Sequence, residues 1–156
     1  MSHELHLHKI GPINDCRLTL DSFTILTGPQ ANGKSTAAKA VYFFRSVKQD
    51  ILSIMMQGGP NAVTGDKAST WSTVLKQRMK DKFLQLFGTS WVMPSDMRME
   101  YQYSKDASIT VSLEDDFNDS SKNYIVIGFS NSIESYLEAL SSPILPRRRK
   151  STKKRS

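Results

Sequence analysis

The spacing of apolar and polar residues predicts three short strands and one long helix in the first part of the chain. Residues 4–10 and 16–20 alternate polar and apolar side chains, which is the period of a half-buried strand. Residues 23–27 form an apolar and β-branched run, which indicates a buried strand. Apolar residues within 34–56 then recur at the spacing of an amphipathic helix.

The chain from residue 57 to residue 141 continues with further helix and strand patterns. Apolar residues on one side of 70–87 predict a second helix, and Gly88 is a natural stop for it. Two alternating runs joined by a short link predict a hairpin, and a third apolar run predicts another antiparallel strand. The strands are expected over 98–103, 108–113 and 124–129, the polar loops over 57–69 and 114–122, and a short helix over 131–141.

The segment between the third strand and the first helix matches the phosphate-binding loop pattern Gly-x-x-x-x-Gly-Lys-Ser/Thr. Gly28 and Gly33 permit the tight turn that lets backbone N–H groups surround a phosphate. Lys34 is placed to reach the β- and γ-phosphates, the Ser35 hydroxyl to ligate Mg²⁺, and Thr36 to face the α-phosphate. The predicted nucleotide-binding residues are Gly28, Pro29, Gln30, Ala31, Asn32, Gly33, Lys34, Ser35 and Thr36.

The context of the loop strengthens this interpretation, because a phosphate-binding loop follows a buried strand and opens a helix. Residues 23–27 and the helix from Lys34 supply both. The alternative is a glycine turn between a strand and a helix that binds no ligand. That alternative does not require Lys34 and Ser35 to occur together, so we expect a nucleotide site.

The N-terminal region resembles the first lobe of ABC-type ATPases of the chromosome-maintenance, recombination-repair and overcoming-lysogenization-defect branch. The resemblance rests on the bend at residues 10–13, the strand at 18–20 and the run 23–29 ending in Gly-Pro, and it covers about residues 4–45. The loop departs from that family's usual "GPNGSGKST" at Gln30, Ala31 and Asn32. The resemblance implies an α/β (α+β) fold, a P-loop NTPase N-terminal lobe with an antiparallel side sheet, and the cofactors ATP and Mg²⁺.

Two parts of such an ATPase are missing from the sequence. We find no continuous apolar strand ending in Asp-Glu, which would orient Mg²⁺ and the attacking water, and no Ser-Gly-Gly signature loop. The only acidic cluster after a strand is Glu114, Asp115 and Asp116, and the run before it alternates, so the catalytic residues stay unknown. We therefore expect an ATP-binding lobe with negligible hydrolysis until a second polypeptide or a second copy completes it.

The charge of the chain is concentrated at its C-terminus. Of 156 residues, 21 are Lys or Arg and 15 are Asp or Glu, and seven of the basic residues lie in 147–156. The rest of the chain therefore carries about as many acidic as basic residues. We expect a nucleotide-binding lobe at 1–142 and a disordered basic tail at 143–156.

Two alternative functions stay open. The first is a nucleic-acid-binding module that uses the tail at 147–156. The second is a complete small P-loop kinase or NTPase. The absence of an Asn-Lys-x-Asp motif argues against a GTPase, and Ala31 replaces the middle glycine expected in small-molecule kinases.

Composition adds two minor expectations. A lone cysteine, Cys16, and the absence of a long apolar run or signal-peptide core predict a cytoplasmic protein without a membrane segment. His3, His6 and His8 follow a strand pattern that would place His6 and His8 on one face. A metal site is nevertheless not expected there, because the sequence offers no further His to complete four ligands.

Overall fold

The computed structural model describes residues 2–29, 33–88, 93–116 and 119–141. These ranges contain five strands: β1 (His3–Ile10), β2 (Ile13–Leu20), β3 (Arg98–Gln102), β4 (Ser108–Asp116) and β5 (Asp119–Phe129). They form one antiparallel sheet in the order β2-β1-β3-β4-β5. Strand β1 is therefore central between β2 and β3, with Leu7 opposite Cys16 on one side and Met99 on the other.

The sheet buries one face and leaves the other polar, as the alternating sequence predicts. The buried side chains Leu5, Met99 and Val111 come from three adjacent strands and point towards the helices. The intervening positions, such as His6 and Glu100, lie on the opposite face and are partly accessible to solvent. The hydrophobic core therefore lies between this sheet and the helices.

The described residues contain five helices: α1 (Lys34–Arg45), α2 (Val47–Met56), α3 (Pro60–Thr64), α4 (Trp71–Phe87) and α5 (Asn131–Ser141). Helices α1, α4 and α5 contact strands of the sheet, and α3 packs against α2 and α4. Helix α4 begins with a capping box, in which the Thr70 hydroxyl accepts from the Thr73 backbone N–H and Thr73 reaches back to the N–H of Thr70. Its buried residues are Trp71, Val74, Leu75, Met79 and Phe83, in agreement with the predicted apolar side.

The helix predicted over 34–56 is divided into α1 and α2 at Ser46. Ser46 is almost completely buried, and its hydroxyl donates to the Phe43 carbonyl 3.0 Å away. The ammonium of Lys82 on α4 donates both to that hydroxyl, at 2.7 Å, and to the carboxylate of Asp50. The break between the helices is thus held by a half-buried polar cluster, which the apolar periodicity does not reveal.

Three predicted boundaries need correction. Residues 23–27 are not part of any strand, because no neighbouring chain in the described structure pairs with them. The loop predicted over 114–122 is much shorter, since the backbone pairing of β4 with β5 extends through Glu114 and Asp115 regardless of their polarity. The loop predicted over 57–69 contains the short helix α3, which begins at Pro60.

The observed architecture is a mixed α and β fold with an all-antiparallel sheet. The predicted strand pairing of 98–103 with 108–113, and the final helix at 131–141, are confirmed to within a few residues. None of the helices in the described ranges is long and apolar enough to cross a lipid bilayer. The tail predicted at 143–156 lies outside the described residues, so its separation from the lobe stays a prediction.

Candidate functional site

The predicted phosphate-binding loop lies at the N-terminal end of α1. Gly28 and Pro29 end an exposed segment, and Gly33 is the residue immediately before the helix. The middle residues Gln30, Ala31 and Asn32 lie outside the described residues. The geometry of the site therefore rests on the two ends of the loop and on the first turn of α1.

Gly33 occupies a position that only glycine fits well. Its backbone has φ 84° and ψ 9°, in the left-handed region. A Cβ at this position would lie 2.5 Å from Cγ1 of Ile13, the first residue of β2. The second glycine of the motif thus combines a left-handed turn with close packing of the loop against the β1–β2 hairpin.

Lys34 folds back across the loop. Its ammonium group donates a hydrogen bond to the backbone carbonyl of Gly28, at the opposite end of the loop. Gly28 itself has φ 148°, a conformation that side chains rarely adopt, and a Cβ on it would lie 3.9 Å from Cδ of Lys34. The Lys34 side chain therefore reaches from the helix that follows the second glycine of the motif to the first glycine.

Among the described residues, no side chain caps the N-terminus of α1, and the first turn contains no acidic residue. The backbone N–H groups of this turn form the positive end of the helix dipole. The Ser35 side chain is exposed in this turn, whereas Thr36 is half-buried beside the β1–β2 turn. A Cβ on Gly11 would lie 3.0 Å from the Thr36 hydroxyl, so that glycine makes room for Thr36.

The segment before the loop runs along α1 and is held at both ends. Arg45 donates to the Asp21 carbonyl at 2.8 Å and to the buried Tyr101 hydroxyl at 3.1 Å, while Lys34 holds Gly28 at the other end. Lys34 and Arg45 are eleven positions apart, which places them on the same face of the helix. The sequence motif does not indicate the role of Arg45, because no local pattern relates it to Asp21.

Residues 23–27 between these two anchors are exposed and unpaired. Phe23 is 80% exposed and Ile25 is 69% exposed, although both are large apolar residues. Leu26 alone packs partly against the core. Among the described residues, the backbone of this segment makes no hydrogen bond. An apolar, β-branched segment with both backbone edges free has the properties of a strand that lacks its neighbours.

No acidic side chain in the described ranges is hydrogen-bonded or ion-paired to Lys34 or Ser35. The candidates Glu114 and Asp115 are exposed residues of β4, which is separated from β1 by β3. For Asp116 only the backbone pairing with Asp119 is described. The described structure therefore places no carboxylate in contact with the cation or the hydroxyl of the motif.

The histidines of β1 are divided between the two faces of the sheet. His3 lies on the helix side, where its Nδ1 is 2.7 Å from the Tyr101 hydroxyl. On the open face, His6 Nε2 and His8 Nδ1 lie 2.7 and 3.2 Å from the same oxygen of Asp15, and these hydrogen bonds hold the pKa of Asp15 below its ordinary value. The part of the chain that is described contains no group of three or more His, Cys, Asp or Glu side chains placed to hold a metal ion.

Comparison with known proteins identifies no relative of this chain. No protein-family model, curated protein or solved structure matches the chain. The resemblance to ABC-type ATPases thus stays an interpretation of residues 4–45. The nucleic-acid and small-kinase alternatives likewise stay predictions, and the basic segment 147–156 lies beyond the described residues.

Proposed function

We propose that the chain is the ATP-binding N-terminal lobe of an ABC-type P-loop ATPase, and that hydrolysis requires a second polypeptide. The observation that carries the proposal is the hydrogen bond from the Lys34 ammonium to the Gly28 carbonyl. It directs a cation into a loop whose ends are two glycines with positive φ. An incoming triphosphate would offer this ammonium a charged acceptor in place of a neutral carbonyl, and charge-assisted hydrogen bonds are the stronger kind.

The residues present also fit Mg·ATP chemically. The uncapped N-terminus of α1 offers backbone donors to phosphate oxygens, and its first turn contains no carboxylate that would repel them. The exposed Ser35 hydroxyl is an oxygen ligand of the kind that Mg²⁺ prefers. Bound Mg²⁺ would neutralise phosphate charge, while Lys34 and the backbone would orient the triphosphate.

Two observations support an incomplete site. The first is the absence, in the described ranges, of an acidic side chain bonded to Lys34 or Ser35, since phosphoryl transfer needs a group that positions the attacking water. The second is the unpaired segment 23–27, with Phe23 and Ile25 exposed. Because a phosphate-binding loop normally follows a strand of a sheet, this segment offers a pairing edge to the missing part.

Nucleotide binding is tested by calorimetric titration of Mg·ATP into the wild-type chain and into Lys34→Ala. We expect the variant to bind about 10- to 100-fold more weakly, as the loss of one charged hydrogen bond implies. Lys48→Ala is the matched control, because it removes an exposed cation of α2 and should leave ATP affinity unchanged. Equal affinity of the wild type and Lys34→Ala would disprove the proposed site.

The need for a partner is tested by steady-state phosphate release. The isolated chain should bind ATP but release phosphate at the rate of Lys34→Ala, which controls for contaminating ATPases. Turnover that depends on Lys34 would show that the chain already holds a catalytic acid. Glu114, Asp115 and Asp116 would then be the first residues to replace.

A further inference from the structure

An open cleft of about 470 Å³ lies beside the start of α1. Its walls include the β1–β2 turn with Ile10 and Gly11, the α1 residues Thr36 and Lys39, and the end of α4 with Leu86 and Phe87; Met93 and Pro94 complete the lining. A volume in this range is typical of small-molecule sites.

The cleft is continuous with the phosphate-binding loop. Thr36 is the last residue of the loop motif and also lines the cleft. Thr36 and Lys39 are three positions apart and so lie on one side of α1. The opposite side of the helix, marked by Lys34 and Arg45, is covered by the chain segment that precedes the loop. The described residues therefore leave the Thr36 side of the helix open to a ligand whose phosphates lie in the loop.

The lining of the cleft suits a flat aromatic group with polar edges. Phe87 is half-buried and contacts the Phe83 ring, with centroids 4.9 Å apart, so its position is fixed by the core. Leu86 adds apolar surface, while the exposed ammonium of Lys39 and the hydroxyl of Thr36 supply hydrogen-bond donors at the rim.

We propose that this cleft binds the nucleobase and ribose of the nucleoside triphosphate whose phosphates lie in the loop. The inference rests on the proposed function and adds the part of the site that determines nucleoside recognition. In this arrangement the base packs against Phe87, and Lys39 faces acceptor atoms of the base or the ribose. Stacking of a base on an aromatic side chain contributes enough to be measured by a single substitution.

The test compares ATP with inorganic tripolyphosphate, which has the phosphates but no nucleoside. In calorimetry with Mg²⁺, the wild type should bind ATP at least about fivefold more tightly than tripolyphosphate. Phe87→Leu should remove most of this preference by weakening ATP binding alone, and Leu84→Ala, an exposed position of the same helix, should remove none. Equal ATP affinity in wild type and Phe87→Leu would overturn the inference and leave the proposed function intact.

A second measurement needs no substitution at the core. Irradiation of the wild type with 8-azido-ATP should label peptides containing Gly11 or Phe87, and excess ATP should prevent the labelling. ATP-protected label confined to other peptides would exclude this cleft. If neither ATP nor tripolyphosphate binds the wild type, the proposed function fails and the nucleoside site fails with it.

Discussion

The packing of Gly33 against the β1–β2 hairpin yields a prediction that separates two physical costs. Gly33→Ala places a Cβ at a residue with φ 84° and only 2.5 Å from Ile13 Cγ1. The left-handed backbone alone costs a residue with a Cβ about 1–2 kcal/mol. The steric conflict adds about 1–3 kcal/mol, as overpacking does elsewhere. We therefore expect Gly33→Ala to lower the free energy of unfolding by about 2–5 kcal/mol.

A double-mutant cycle with Ile13→Ala isolates the steric part. Ile13→Ala removes the atoms that the new Cβ would meet, and costs about 2–4 kcal/mol by itself because Ile13 is buried. In that background Gly33→Ala should cost only the backbone term of about 1–2 kcal/mol. The two substitutions should thus show a coupling of about 1 kcal/mol or more.

The assay is urea unfolding followed by far-UV circular dichroism, with the midpoint and the slope fitted for all four proteins. Gly65→Ala is an internal control, since Gly65 has φ 73° but no neighbouring atom within 4 Å of the point where a Cβ would lie, and it should show the backbone cost alone. If Gly33→Ala costs the same in both backgrounds, to within about 0.5 kcal/mol, then contact with Ile13 is not the reason for glycine at this position.

Two further predictions concern polar groups in the core. Burial raises the pKa of the Tyr103 phenol above its ordinary value of 10.0, so the folded chain keeps this proton after the unfolded chain has lost it, and the stability of the fold should decrease as the pH rises above 10. In thermal melts, Tyr103→Phe should lose less stability than the wild type at alkaline pH. An equal loss in both proteins would contradict the role given to Tyr103. Asp50→Ala should lower the free energy of unfolding by about 3 kcal/mol, because it leaves the Lys82 side chain, only 17% exposed, without its carboxylate partner. Urea unfolding should show a smaller decrease for the same substitution in a Lys82→Met background. Additive effects of the two substitutions would refute the coupling between Asp50 and Lys82.

The sequence predicts well those parts of the fold that depend on local pattern. Helix α4 and its buried side follow from the apolar spacing between Trp71 and Phe83. The hairpin of β3 and β4 follows from alternation and a short link. In both cases neighbouring residues in the sequence decide the structure, so no distant contact is needed to predict it.

Other parts depend on contacts that the sequence does not reveal. The insertion of β1 between β2 and β3 joins distant segments, and no local pattern selects that neighbour. The break at Ser46 depends on Lys82, a residue of another helix. Residues 23–27 have the composition of a strand, but a strand also needs a paired neighbour, and none is present in the described structure.

The sequence likewise predicts those parts of the candidate site that depend on local pattern, and it does not predict those that depend on distant contacts. The motif identifies Gly33, Lys34 and Ser35, because its spacing encodes loop and helix together. The cleft beside Thr36 depends on Phe87, which lies about fifty residues further along the chain and belongs to no motif. The anchor between Arg45 and Asp21 likewise arises only when the segment lies along α1.

The position of β1 between β2 and β3 has a consequence for the order in which the molecule folds. Its pairing with β3 joins residues such as His8 and Arg98, so a long chain segment must be closed into a loop before the sheet is continuous. Contacts of this kind slow folding. During synthesis, the β1–β2 hairpin that supports Gly33 therefore cannot pair with β3 until residue 102 has left the ribosome. Until then, the apolar side chains of Leu5 and Leu7, which are buried in the folded chain, are accessible to chaperones and can take part in aggregation.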